Sequence, residues 1–377
     1  MSNIHFWVPK IDGFGGGIAN LNREMLNTLK KAYGKKLNIS IISKLDSSGS
    51  YNGLPIKGSL FIHPRLRTIH YAFLLLCNAF LCKPKLIICS HVNFSPIAFL
   101  LKRILGINYV ILTYGIEVRA KVSWIQLRAL NESVRIFTIS EWTSDRLQKL
   151  GLDKSKITKM PVPIHEEKFV IDKKNLELLE FYGIDANSKI ILTAGRLDAA
   201  ECYKGHDRVI RALPAVLRKI PTVHYMIVGS GDDIDRLQRL AIEMKLEEYI
   251  TFCGFVPDHQ LQSHYSSADL FVMPSTGEGF GIVFLEAMLS GIPVMGGSID
   301  GSAEPLMSGK FGKLVDPNSL MEIADGIVKM LEGEGPASYF NKQTLRSNCV
   351  RNFGLEVFQN FLTSEFDELS RSVGLYE

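Results

Sequence analysis

Short apolar runs alternate with longer segments of helical period along the whole chain. Before position 168 the runs are NIHFWVP, NISIIS, KLIICSH, NYVILTYG and RIFTISE, with helical stretches such as GGIANLNREMLNTLKKAYG and SPIAFLLKRILG between them. Beyond it, SKIILTAGR, VHYMIVGSG, YITFCGF, DLFVMPS, IPVMGG and GKLVDP read as strands, separated by helices near 205–219, 232–245 and 282–290. Each run is rich in Ile, Val, Leu or Phe, as strands covered on both faces should be. The rhythm predicts an α/β protein of two doubly wound parallel-sheet domains. KMPVPIHEEKF at 159–169 holds two prolines and no period, and reads as the hinge between them.

Composition changes this picture little. With 377 residues, 46% of them apolar, the chain can bury two cores. The longest apolar run, IHYAFLLLCNAFLC at 69–82, has fourteen residues, too few for a helix to cross a hydrocarbon layer of roughly 30 Å. Six cysteines without a CxxC pair, and no secretory leader, predict reduced thiols and a cytoplasmic protein.

Charge changes it more. Residues 1–168 carry 24 Lys and Arg against 10 Asp and Glu, and residues 169–377 carry 19 against 29, so a basic half (+14) precedes an acidic one (−10). Such a half suits an anionic partner. RLRTIHYAFLLLCNAFLCKPK at 65–85 and AFLLKRILG at 98–106 read either as helices buried against a sheet or as an interfacial patch. Taken with the charge, they favour peripheral attachment to the inner face of a membrane. Nucleic acid is disfavoured, because the basic half lacks interleaved aromatics that would form a stacking surface.

Glycine and polar residues collect where the strands end, the ligand edge of open parallel sheets. DGFGGGIANLNREM follows the first strand, so backbone N–H groups of Gly15, Gly16 and Gly17 can face an anion, or the loop is an ordinary glycine turn. Ile18 stands where a dinucleotide fingerprint needs its third glycine. Arg196 and Lys204, in TAGRLDAAECYKGHDRVI, are a guanidinium and an ammonium placed as a diphosphate would need, or solvated loop charges. Gly229 and Gly231 in VGSGDD form another permissive turn, and Asp233 and Asp235 after them read as helix-capping acids rather than metal ligands.

In STGEGFGIVFLEAMLSG, residues 275–291, backbone groups of Gly279, Phe280 and Gly281 open a helix that begins near Ile282. Glu278 stands in the loop and Glu286 about a turn inside the helix. Carboxylates accept hydrogen bonds only, so two of them beside a phosphate site suit the hydroxyl donors of a ribose and a sugar. No His/Cys cluster has zinc spacing, and activity without an obligatory cofactor or divalent ion is expected.

The spacing Glu278-(seven residues)-Glu286, with GEGFG, GRL…KG, the amino-terminal GGI loop and GFVPDHQLQSHYSSADLFVMPS at 254–275, resembles the retaining glycosyltransferases of group 1, family GT4. The resemblance covers nearly the whole chain. It implies a GT-B fold, two Rossmann-like domains facing a central cleft: an acceptor-binding domain at 1–165, to which a helix at about 355–377 returns, and a nucleotide-sugar domain at 166–354. It implies that Gly16 and Gly17 bind donor phosphate, that Arg196 and Lys204 neutralise the diphosphate, and that Glu286 holds the ribose. Glu278, with backbone groups of Phe280 and Gly281, would lie against the transferred sugar; the base would lie near Phe255 and Val256, with Gly229 and Ile282 also lining the donor. A UDP-sugar is favoured as donor, with a GDP-sugar second, and the acceptor implied is a glycan or lipid-linked hydroxyl in envelope or polysaccharide synthesis. Closure of the domains would exclude water.

One position departs from the pattern. Where family members commonly carry a histidine, VILTYGIEV has Tyr114, which can donate a hydrogen bond but is a poor base near neutral pH. In the mechanism usually proposed for the family the leaving phosphate takes the acceptor proton, so Tyr114 is counted with Glu278, Arg196 and Lys204 among the catalytic residues as a hydrogen-bond donor, not as a base. His91 and Glu117 are further candidates for the cleft; the histidine could equally be structural, and the glutamate could cap the next segment. A phosphorylase or epimerase on the same fold, and a non-enzymatic nucleotide-sugar binding protein, are the competing functions.

Overall fold

The computed structural model describes residues 2–13, 16–60, 62–119 and 122–375. They divide into two compact units, Met1–Pro163 with Glu356–Glu377, and Ile164–Leu355.

The first unit is built on strands β1 (Ser2–Val8), β2 (Leu37–Ser43), β3 (Gly49–Tyr51), β4 (Leu54–Gly58), β5 (Leu86–Cys89), β6 (Asn108–Thr113), β7 (Arg135–Thr138) and β8 (Ile157–Lys159). Among the described residues they form one sheet in the order β3-β4-β2-β1-β5-β6-β7-β8. Its pairings are parallel except between β3 and β4. The apolar runs are strands because helices cover them. Leu21, Met25, Leu26 and Leu29 of the helix Gly17–Tyr33 are buried, and Tyr71, Leu75 and Ala79 of the helix Pro64–Cys82 pack into the cluster around Trp7, Ile87 and Ile111.

The antiparallel pair β3–β4 has no apolar run to betray it. It contains Pro55, tolerated because β4 lies near the sheet edge, and its exposed residues follow no core period. From Glu356 onward the last helix, Leu355–Ser372, belongs to this unit. Tyr33 donates to Asp367 Oδ1 at 2.7 Å, Arg135 to Glu368 Oε1 at 2.7 Å, and the Tyr33 ring lies 5.0 Å from that of Phe366.

The second unit holds β9 (Lys189–Ala194), β10 (Val223–Val228), β11 (Ile250–Gly254), β12 (Leu270–Met273), β13 (Val294–Gly297) and β14 (Lys313–Val315). Among the described residues they make a parallel sheet in the order β11-β10-β9-β12-β13-β14. Ile191, Ile210, Leu213, Tyr225 and Val272 centre its core. The two sheets thus agree with two parallel α/β domains.

Chain progression reverses between β9 and β12 in this sheet, and between β1 and β5 in the other. A crevice opens at the carboxyl ends of strands where order reverses in this way, so each unit has one address at which a ligand site is expected.

Candidate functional site

In the second unit that address is formed by the loops after β9 and β12. They are tied directly, since Thr276 N–H donates to the Tyr203 carbonyl at 2.8 Å. The tie brings Lys204 to Glu278: the ammonium stands 2.9 Å from Oε2, with side chains only 12% and 15% exposed. Arg196 lies exposed in the same β9 loop. His206, one residue past Gly205, is buried, and burial with the Lys204 charge lowers its pKa to about 3. The imidazole is therefore neutral, and the cations of the loop are Lys204 and Arg196.

The loop carrying Glu278 is held from the next strand. Asp300, just after β13, is buried and accepts from Ser275 Oγ at 2.6 Å, Glu278 N–H at 2.7 Å and Ser302 N–H at 2.9 Å. Burial raises its pKa while these bonds oppose the rise. Gly301 N–H closes the lock on the Glu278 carbonyl at 2.9 Å. Nothing in the chain's periodicity had singled out Asp300, although an Asp-Gly directly after an apolar strand is a signal of the right kind.

Gly281 is the N-cap residue of the helix Ile282–Leu289. The Phe280 ring turns inward against Phe353, centroids 5.7 Å apart, which leaves its backbone for the loop. Glu286 lies in that helix, partly buried, and Oε2 accepts from the hydroxyl of fully buried Tyr265 at 2.7 Å. Burial pushes Glu286 up to about 7 against the Tyr265 bond, which pulls it down. Tyr265 is the second residue the sequence did not single out; it comes from the helix Asp258–Ser267, and only the fold makes it a neighbour.

Gly229 follows β10, beside the β9 loop, whereas Val256 is buried beyond the outer strand β11. A Cβ on Gly229 would stand 1.8 Å from the Gly195 carbonyl oxygen, and its φ of +146° is strained for any other residue. Gly229→Ala should destabilise the protein by on the order of 3 kcal/mol. A melting temperature within a degree of wild type would show that this loop does not press on β9. The expected capping by Asp233 is corrected: it occupies the N-cap position of the helix Ile234–Glu243, but its carboxylate makes no cap bond. It pairs instead with Arg236 at 2.6 and 2.7 Å, because the guanidinium one turn on offers two parallel donors.

In the first unit Gly16 is the N-cap residue and Gly17 the first residue of the helix Gly17–Tyr33; Gly15 lies outside the described residues. A Cβ on Gly16 or Gly17 would meet nothing within 4 Å among the described residues, so packing against them does not demand glycine there. The loop before them is braced by Asp46, accepting from Ile11 N–H at 2.7 Å, and by Arg23, donating to the carbonyls of Ile11 and Gly13. Tyr114, just after β6, is buried, and its hydroxyl donates to Asn22 Oδ1 at 3.2 Å, while Asn22 Nδ2 donates to Ser90 Oγ at 3.2 Å. The tyrosine ties the strand end to the first helix. Glu117 Oε2 accepts the Tyr114 N–H at 3.0 Å, and His91 lies just beyond β5.

Residues 175–347 match the family model described as glycosyl transferases group 1. The GDP-mannose-dependent alpha-(1-6)-phosphatidylinositol monomannoside mannosyltransferase of Mycolicibacterium smegmatis is 29% identical over 252 residues, 63% of this chain and 65% of that relative. The phosphatidyl-myo-inositol mannosyltransferase of Mycobacterium tuberculosis is 38% identical over 157 residues, 40% of each chain. The matches therefore span 65% and 40% of the length of these two curated relatives. Among solved structures, sucrose-phosphate synthase from Thermosynechococcus elongatus superposes with a TM-score of 0.81 at 19% identity, covering 99% of this chain and 100% of that one. The Anabaena protein HepE in complex with UDP and glucose gives 0.78 at 18%, covering 98% and 100%. These likenesses establish the GT-B fold.

Proposed function

As this chain belongs to the group 1 glycosyl transferases, we propose that it moves a sugar, with retention, from a nucleotide diphosphate sugar to a hydroxyl of a glycan or lipid-linked acceptor. The observation that carries the reading is the Lys204–Glu278 pair at the switch point of the second sheet. One side chain of that pair can neutralise a diphosphate; the other can accept from sugar hydroxyls.

In this reading the second unit binds the donor. Lys204 and Arg196 take the diphosphate with the backbone of Phe280, Gly281 and Ile282, Glu286 takes the ribose, and Glu278 lies against the sugar. Gly229 and Val256 line the nucleotide. The first unit binds the acceptor. The leaving phosphate accepts the acceptor proton, and fixed donors stabilise the charge that develops there without need of a divalent ion. The sequence favours a UDP-sugar as donor; the Mycolicibacterium smegmatis relative is named as GDP-mannose-dependent, and we place GDP-mannose first.

Calorimetry with GDP, UDP and ADP, with and without magnesium, tests the donor assignment. Binding selective for one base and indifferent to magnesium is expected, followed by release of labelled sugar from the matching donor to a lipid or glycan acceptor. No binding of any of the three removes the donor site from the second unit. Binding without transfer leaves a nucleotide-binding protein.

We place the protein at a membrane surface. Among the described residues no helix is long and apolar enough to cross a bilayer. The helix Pro64–Cys82 nevertheless exposes Leu66, Ile69, Phe73 and Phe80, recurring at helical spacing, beside Leu81. Ser47–Ile116 contains seven Lys and Arg and no Asp or Glu. That is an apolar stripe within an acid-free stretch of sequence, suited to anionic headgroups. Ile69→Ser with Phe73→Ser should reduce co-sedimentation with phosphatidylglycerol vesicles roughly tenfold or more, since burying each side chain is worth about 1.5–3 kcal/mol. Equal sedimentation of variant and wild type would remove the helix from the contact.

A further inference from the structure

β1 and β5 are the neighbours between which the first sheet reverses, and His91 sits two residues past the end of β5. Glu117 follows β6, the adjoining strand, in the short helix Ile116–Arg119. Their facing atoms, His91 Nε2 and Glu117 Oε1, stand 3.9 Å apart. That is too far for a hydrogen bond.

Both atoms are left over after the other ends of the two side chains have been used. His91 Nδ1 accepts the N–H of Asn93 at 3.1 Å, so the neutral ring carries its proton on Nε2. Glu117 Oε2 accepts the N–H of Tyr114 at 3.0 Å, whereas Oε1 is buried with no partner. A buried oxygen without a donor is uncommon and calls for an explanation.

An ion pair does not explain it. Burial, then the charge of Lys44 at the end of β2, lowers His91 to about 4, and burial pushes Glu117 up to about 7. Between those values the ring is neutral and the carboxyl protonated; above them the carboxylate faces a neutral N–H. Tyr114, the other titratable side chain beside Glu117, stays protonated, because burial and the Glu117 charge hold it far above 10. The glutamate side chain is 5% exposed and the histidine 21%, so a ligand that contacts the buried Oε1 has to come in past the histidine.

We propose that His91 and Glu117 are a hydroxyl clasp for a sugar or polyol acceptor. One oxygen about 2.8 Å from each atom spans the gap: it donates to Oε1 of Glu117 and accepts from Nε2–H of His91. The clasp rests on the acceptor role proposed above for the first unit. It orders one acceptor hydroxyl by both its donor and its acceptor capacity, which an ether or a carbonyl oxygen cannot satisfy. Tyr114, whose hydroxyl is engaged with Asn22, is left to hold the strand end on which the clasp is built.

The test is titration of the full chain, with 15N-labelled histidine, by myo-inositol, methyl α-D-mannopyranoside and methyl α-D-glucopyranoside. The Nε2 signal of His91 is followed, assigned by its loss in His91→Asn, which keeps a side-chain oxygen able to cap Asn93. At least one polyol should shift that signal saturably in wild type, with affinity about tenfold weaker in Glu117→Gln, a variant that keeps the bond to Tyr114 N–H through its carbonyl. A matching rise in acceptor KM, with donor affinity unchanged, would support the clasp further. No shift with any polyol, as when the gap holds only an ordered water, or an equal shift in Glu117→Gln, overturns it. A saturable, Glu117-dependent shift in a protein that transfers no sugar would uphold the clasp and discard the enzymatic reading.

Discussion

Lys204→Ala should weaken binding of the nucleotide diphosphate roughly ten- to a hundredfold and lower sugar transfer by more. A hydrogen bond to a charged group contributes about 1.5–3 kcal/mol, and the Lys204 ammonium is mostly enclosed, so little is lost to screening by water. Its removal acts twice. The diphosphate loses a cation, and Glu278, now without its 2.9 Å partner, faces the phosphates as a like charge. Glu278→Gln separates the two effects: the carboxylate charge beside Lys204 and the phosphates is gone while the ammonium remains, so the nucleotide should bind as well as in wild type or better. Transfer should still fall, because the amide is a weaker acceptor for the sugar hydroxyls. Calorimetry on both variants and on their combination decides the matter. Wild-type affinity in Lys204→Ala would mean that the ammonium serves only to neutralise Glu278.

The strand ends bearing these residues were legible because parallel strands buried on both faces leave continuous apolar runs, and polar residues directly after them fall at one edge. Arg196, Lys204, Glu278 and Glu286 could be placed that way. What each side chain touches could not. Lys204 and Glu278 are 74 positions apart, and only the order β9-β12 makes their loops neighbours. Tyr265 lies 21 positions before Glu286 on a different helix, and its hydroxyl reads in sequence like any buried aromatic. Asp233 shows the converse: capping statistics favoured one role, and a guanidinium three residues on supplied another. Pattern locates chemistry to a sheet edge; the pairing of long side chains is settled by tertiary geometry.

Affinity for GDP-mannose should rise roughly tenfold from pH 6 to pH 8, as a group titrating near 7 gives up a proton on binding. The group is Glu286, raised from 4.5 to about 7 by burial. Ribose hydroxyls donate, so the bound state favours the carboxylate, and the nucleotide must draw the proton off below pH 7. The sign for the empty protein is opposite. A carboxyl whose pKa is raised by folding contributes its stability below the unfolded value, 4.5, and loses it as pH climbs through about 7. The gain in melting temperature on adding donor should therefore be larger at pH 8 than at pH 6. GDP-mannose is the right probe because its diphosphate is esterified at both ends and has no phosphate titrating in this window. Proton release is read by calorimetry in two buffers of different ionisation enthalpy, and Glu286→Gln should abolish both the release and the slope. Tyr265→Phe should move the midpoint upward, since the lost hydrogen bond is the one that pulls the pKa down. An unchanged slope in Glu286→Gln would take the carboxylate away from the ribose, leaving its bond to Tyr265 as a purely structural one.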